Sequence, residues 1–134
     1  MNLKMADNGL RNLSLIKIGS GKLSITRGDN DFDQAPSLRS GVTEVVKLAD
    51  SGVVSSLGVA ASFNVGGTLR YLGTGDSSNR ALGLLQTGGT LDSSGTGALV
   101  LSGSTMSHQA GTTSTVCAPF AEGVTTLLIN DPSG

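Results

Sequence analysis

The chain repeats itself at an offset of 22 residues. Gly66–Leu69, with the sequence GGTL, recurs as Gly88–Leu91. In the same register, Gly73–Gly75 recurs as Gly95–Gly97. A period of this length corresponds to about one coil of a β-solenoid, in which equivalent residues of successive coils lie above one another. The repeat therefore predicts stacked coils in which the recurring glycines turn the chain.

Short apolar runs of strand length recur between clusters of Gly, Ser, Asn and Asp. Apolar and polar residues alternate in Leu23–Ile25 and in Leu69–Tyr71, which places the apolar residues on one face of each strand. The predicted fold is therefore all-β. The residues expected to form its core are Leu23, Ile25, Leu69, Tyr71, Leu82, Leu84, Leu99 and Leu101.

The composition favours the same architecture. Aromatic residues make up 3% of the chain and charged residues 14%, whereas 20 of the 134 residues are glycine. A core with so few aromatics needs many small aliphatic contacts, which a stack of short strands provides. The 9 basic and 10 acidic residues form no positive excess for phosphate groups, and few aromatic rings are present for bases to stack on. Nucleic-acid binding is therefore not expected.

The length fits one domain, residues 1–134, with a repeat-like core at about 13–103 and a less regular part at 104–134. The irregular ends are candidates for caps on the stack. The chain has no apolar run of about 18 residues, so no membrane span is expected. The N-terminal residues also lack the apolar region of a signal peptide, so any export signal is expected to have been removed or to lie on a longer precursor.

Lys17–Ile25, with the sequence KIGSGKLSI, resembles the K-x-G-x-G-x-L-x-L opening of the autotransporter-associated β-strand repeat. Later segments resemble its continuation, and together the similarity covers about residues 13–103. These later segments are Ser55–Gly58, Gly66–Gly73, Asn79–Leu82 and Gly88–Leu99. The chain departs from the pattern at Gly28–Leu38, which is acidic where the family has Asn- and Thr-rich turns, and it contains no translocator barrel.

The resemblance implies a right-handed parallel β-helix, a location outside the cell or on its surface, and a structural or adhesive role with host or matrix glycans or proteins as partners. The family's motif residues are turn glycines and inward aliphatics, so the resemblance implies no catalytic residue and no cofactor. At some 22 residues per coil, the chain would form about six coils. A β-sandwich is the alternative architecture.

Asp29, Asp31 and Asp33 stand at alternate positions, as in the first half of a calcium-binding loop. The second half is missing, because Gln34 stands where the loop needs Gly and Ser40 where it needs a bidentate Glu. These three aspartates are the candidate metal ligands, and a solvated acidic loop is the alternative interpretation.

The alternatives to an adhesive module are a carbohydrate-active β-helix enzyme and a fibre subunit that self-associates through the ends of its solenoid. The enzyme would need clustered carboxylates on one face of the coils. Asp76 and Asp92 do not share the register of the repeat, and pairing with Arg70 and Arg80 as exposed ion pairs is the simpler expectation. His108, the single histidine, lies in a polar segment without a nucleophile motif. We therefore predict a protein that is not an enzyme.

Overall fold

A computed structural model describes residues 2–7, 9 and 13–103, and the backbone of three later strands. Every regular element in these residues is a β-strand, and none is a helix. The strands are β1 Ile16–Lys17, β2 Lys22–Ile25, β3 Ser37–Leu38, β4 Val42–Val45, β5 Ser62–Val65, β6 Thr68–Tyr71, β7 Asp76–Ser78, β8 Ala81–Leu84, β9 Thr90–Ser93, β10 Leu99–Leu101, β11 Met106–His108, β12 Thr115–Val116 and β13 Thr126–Asn130.

The strands stack into three sheets that run along the molecule. Sheet A has the order β1-β3-β5-β8-β11, sheet B contains β2-β4-β6-β9, and sheet C contains β7 and β10. All of these neighbours pair in parallel, and each pairing joins one coil to the next. The predicted parallel β-solenoid is therefore confirmed. The β-sandwich alternative is wrong, since its sheets would be built from antiparallel neighbours.

The stack has about four turns, so the prediction of six coils is wrong. One reason is that the coils differ in length. Val42 pairs with Thr68 and Thr68 pairs with Thr90, so the second coil is longer than the third. The other reason is that β13 pairs with β9 in antiparallel orientation, with Leu127 opposite Leu91. Sheet B therefore ends without a further parallel coil in the described part of the chain.

The repeat at 22 residues reflects true stacking of the third and fourth coils. Leu69 pairs with Leu91 in register. The glycine blocks also lie one above the other, and the amide of Thr96 donates to the carbonyl of Gly73 at 2.9 Å. A Cβ on Gly97 would overlap the backbone of Thr74, so the two turns touch through their main chains.

The core was predicted well where the strands alternate clearly. Six of the eight predicted residues are buried, and Leu23 and Leu101 are partly buried against the same cluster. The prediction missed a second group, which comes from sheet A, from the end of β4 and from the connection between β4 and β5, because each of these apolar residues has a polar neighbour in the sequence. This group comprises Leu38, Val45, Leu48, Leu57, Phe63 and Val65.

One residue of the core, Thr43, has a buried hydroxyl group without a hydrogen bond in the described structure. Thr43 points inward between Leu23 and Leu69, is 1% exposed, and its hydroxyl has no hydrogen-bond partner among the described residues. We expect Thr43→Val to raise the free energy of unfolding by about 1 kcal/mol, because it removes an unsatisfied buried hydroxyl without changing the side-chain shape. Urea unfolding measures the change.

The control for this prediction is Thr68→Val at a half-buried position on β6. Thr68 is on the opposite face of its strand from the buried Leu69 and Tyr71, so we expect a change within about 0.5 kcal/mol. A Thr43→Val protein less stable than the wild type would contradict the expectation.

Candidate functional site

The lysine of the motif stabilises its own turn. The Lys17 ammonium donates to the carbonyl oxygens of Ile18 at 3.0 Å, Gly19 at 2.8 Å and Ser40 at 3.1 Å. Ser40 belongs to the next coil, so the side chain also ties the first turn to the second. The K-x-G-x-G pattern is thus explained by turn geometry, and Gly19 adopts the left-handed φ of 79° that the turn requires.

The outer face of sheet B carries a column of alternating charges. Glu44, Arg70 and Asp92 are register partners on successive coils. The Arg70 guanidinium lies 2.8 Å from the Asp92 carboxylate and 3.4 Å from that of Glu44, which Lys22 also approaches at 3.4 Å. The hydrogen bond to Asp92 raises the pKa of Arg70. The predicted pairing of Asp92 with an arginine is confirmed, but the pair is not fully exposed, because the Asp92 side chain is 15% exposed.

Asp76 lies in different surroundings from Asp92. Its carboxylate accepts a hydrogen bond from the buried Tyr71 hydroxyl at 2.8 Å and another from the Leu48 amide at 3.1 Å. Tyr71 faces the core, whereas its neighbour Arg70 faces outward with Asp92. The two acids therefore do not form a carboxylate pair, and Asp76 instead fastens the connection after β4 to the core.

Burial, with a smaller contribution from the hydrogen bond to Asp76, raises the pKa of Tyr71 to about 12. Since the unfolded chain would ionise near pH 10, the folded state favours the neutral phenol. Its stabilisation is complete below about pH 10 and is lost as the pH rises towards about 12, by about 2–3 kcal/mol in all.

We therefore expect the wild type to lose more stability than Tyr71→Phe between pH 9 and pH 11.5, because only the wild type carries this phenol. The variant starts about 1–2 kcal/mol less stable, since Asp76 and the Gly75 amide each lose a hydrogen bond. Urea unfolding at the two pH values measures both effects. Parallel pH dependence of the two proteins would contradict the assignment.

Arg80 has a role that sequence reasoning missed. It was expected to form an exposed ion pair near Asp76, but it is 2% exposed and makes no salt bridge in the described structure. Its guanidinium donates to the carbonyl oxygens of Leu57 at 3.1 Å, Val53 at 3.1 Å and Gly58 at 2.5 Å. The expectation of an exposed pair is therefore wrong, and burial lowers the pKa of Arg80.

These bonds hold the connection at 46–61, the longest between strands in the described repeats. Leu48 and Leu57 anchor it in the core, while Val53 and Val54 are 47% and 37% exposed at its tip. The result is a loop that is anchored in the core and has an apolar tip on the side of the solenoid. No sequence pattern indicates this, because the arginine lies 22 to 27 residues from its acceptors.

The three candidate calcium ligands lie on an extended segment. Asn30 and Phe32 point inward and are fully buried, so Asp29 and Asp31 alternate with them towards the outside. Arg27 pairs with Asp29 at 2.5 Å. Asp31 accepts from the Asp7 amide at 3.0 Å and lies 3.1 Å from the Lys4 ammonium.

Asp33 has a buried carboxylate oxygen without a hydrogen-bond partner in the described structure. No group of three acidic, His or Cys side chains suited to a metal occurs among the described residues. The calcium site therefore stays a prediction, to be tested by the change in melting temperature on addition of Ca²⁺.

A shallow polar groove of about 420 Å³ lies where sheet A meets the turn into sheet B. The residues that line it come from the second, third and fourth coils. They are Ser37, Arg39, Asn64, Leu85, Gln86 and Thr87. No sequence motif marks this site, because coil stacking alone brings its residues together.

His108 lies on β11, where its backbone pairs with that of Leu84. Its side chain is outside the described part of the structure, so its interpretation as a residue without a catalytic role stays a prediction. Within the described residues, no helix is long and apolar enough to cross a membrane.

No family model and no solved structure matches the chain. One curated protein is similar, the adhesin BmaC autotransporter of Brucella suis biovar 1 (strain 1330). The two are 36% identical over 94 residues, which cover 65% of this chain and 3% of the length of the adhesin. The resemblance to autotransporter passengers is thereby confirmed, and the chain is a parallel β-solenoid related to a segment of an autotransporter adhesin.

Proposed function

We propose that the chain is an adhesive, non-catalytic segment of an autotransporter passenger, displayed on the cell surface or outside the cell. The observation that carries the proposal is the parallel stack itself, whose coils keep their register although their connections differ in length. Such a stack is a rigid support on which loops and outer faces present side chains to partners. Similarity to a segment of an adhesin supports the same role.

A non-catalytic role fits the surroundings of the two acids in the repeat. Asp76 is bound to Tyr71 and Leu48, and Asp92 is bound to Arg70. A glycosidase needs two carboxyl groups that face one substrate. Host or matrix glycans or proteins are the proposed partners, bound by the outer faces and loops.

The test is attachment of chain-coated beads to cultured epithelial cells, together with binding of the purified chain to arrays of glycans and matrix proteins. We expect saturable attachment that is competed by the soluble chain and lost after thermal unfolding. Attachment no greater than that of albumin-coated beads, with empty arrays, would refute the adhesive role.

Association through the open first coil is a second candidate function. The outer edges of β1 and β2 have no strand partner among the described residues, and Leu13, Ile16 and Ile18 nearby are 42%, 55% and 69% exposed. Unpaired edges with apolar side chains favour pairing with another chain. Light scattering should then increase with concentration, and Ile16→Lys should suppress the increase. A monomer at all concentrations would exclude this candidate.

A further inference from the structure

We propose that the polar groove lined by Ser37, Arg39, Asn64, Leu85, Gln86 and Thr87 binds an acidic oligosaccharide, with Arg39 holding its negatively charged group. This inference rests on the proposed adhesive function and assigns it a site and a ligand class.

Arg39 differs in its partners from every other described cation except Lys47, which also lies more than 4.0 Å from any carboxylate of the described structure but does not line the groove. Lys4, Lys22, Arg27 and Arg70 each lie within 4.0 Å of a carboxylate. Lys17 and Arg80 are bound to carbonyl oxygens. Arg39 is exposed, has no carboxylate within 4.0 Å in the described structure, and makes one long side-chain contact of 3.5 Å, to the Ser37 hydroxyl. Its guanidinium is therefore available to an anion from solution.

The groove exists because Gly66 on one coil and Gly83 on the next lack side chains. Gly66 follows β5 directly above Arg39, and a Cβ there would come within 2.9 Å of both Leu85 and Thr87. Those two side chains lean over the glycine instead and form one wall. On the floor, the Asn64 amide lies against Gly83 of the next coil, where a Cβ would overlap it.

The remaining groups suit a sugar. A guanidinium binds a carboxylate or sulfate through two parallel hydrogen bonds. The amides of Asn64 and Gln86 supply donors and acceptors for ring hydroxyls, and Leu85 offers an apolar surface to ring C–H groups. The Thr87 hydroxyl donates to the Gly66 carbonyl at 3.1 Å, so its oxygen keeps lone pairs for a ligand donor. Pockets for small ligands begin at about 300 Å³, so the groove is large enough for one or two sugar rings.

Isothermal titration with trigalacturonate, neutral galactotriose and a sulfated heparin fragment tests the proposal. We expect trigalacturonate or the heparin fragment to bind at least about tenfold more tightly than galactotriose, and Arg39→Gln to remove at least about tenfold of that affinity. Binding of trigalacturonate would identify a carboxylate as the recognised group, and binding of the heparin fragment would identify a sulfate. Arg39→Lys should keep part of the affinity that Arg39→Gln loses, since lysine has the positive charge but cannot form the two parallel hydrogen bonds of a guanidinium.

Lys22→Gln is the matched control, because it removes one exposed positive charge from the outer face of sheet B. It should leave the affinity within about twofold. Equal loss in both variants, equal binding of the neutral sugar, or tighter binding of a tetraglutamate peptide would overturn the proposal. If the chain binds the oligosaccharide in the groove but does not attach to cells, only the adhesive function is refuted. If the chain attaches to cells and Arg39→Gln does not weaken the attachment, the groove is not the adhesive site.

Discussion

Replacing Arg80 with methionine should lower the free energy of unfolding by about 2 kcal/mol, a considerable part of the stability of an ordinary domain. The guanidinium satisfies the carbonyls of Val53, Leu57 and Gly58, and methionine fills a similar volume without any donor. The buried Leu57 carbonyl would lose its donor, which costs about 1–3 kcal/mol, and the Val53 carbonyl at the half-exposed tip would lose less. The Gly58 carbonyl would keep its hydrogen bond from the Ser55 hydroxyl at 2.9 Å. The lower desolvation cost of methionine offsets part of the loss.

The loop should also become easier to cleave. Thermolysin cuts before apolar residues, so we expect faster cleavage near Val53 and Val54 in Arg80→Met than in the wild type. Arg39→Met provides the control, because that side chain is exposed and should change stability by less than about 0.5 kcal/mol. Equal urea midpoints for Arg80→Met and the wild type would show that the guanidinium does not hold the loop.

Replacing Gly97 with alanine should destabilise the chain by about 3 kcal/mol or more, because the new methyl group has no space. A Cβ at this position would overlap the carbonyl of Thr74 and approach the amide of Gly75, both of which are main-chain atoms of the preceding coil. No rotamer change relieves such an overlap, so the two turns must separate. The hydrogen bond from Thr96 to Gly73 would then lengthen as well.

Gly21→Ala is the matched control for this substitution. A Cβ on Gly21 meets no atom within 4 Å, and its φ is outside the left-handed region. Alanine there should be neutral or stabilising by about 0.5 kcal/mol, because it reduces the freedom of the unfolded chain. Urea unfolding of both variants separates the two effects, and similar stabilities would show that the turns are not in contact.

Sequence reasoning succeeded where stacking copies a pattern along the chain. The register of Leu69 with Leu91 and the contact between the two glycine blocks follow from identical residues at one spacing. It failed for the number of coils, since the connection at 46–61 lengthens one coil and leaves no mark in the repeat.

The candidate site was the least predictable part. Arg39, Asn64 and Thr87 belong to three different coils, and their proximity depends on the absence of side chains at Gly66 and Gly83. A glycine in a strand indicates that another group packs closely against the backbone, but it does not identify that group. The role of Arg80 was hidden for a similar reason, because its acceptors are backbone carbonyls that any sequence supplies.

The unequal coil lengths have a consequence for how such a surface can change. Val42 and Thr68 remain paired although their coil carries several more residues than the next one, so the additional chain leaves the stack at one corner and returns without shifting the ladder. Insertions at this corner would alter what the molecule displays while the aliphatic interior stays as it is. A family of such solenoids can therefore vary its binding contacts while the stacked strands and the core remain the same.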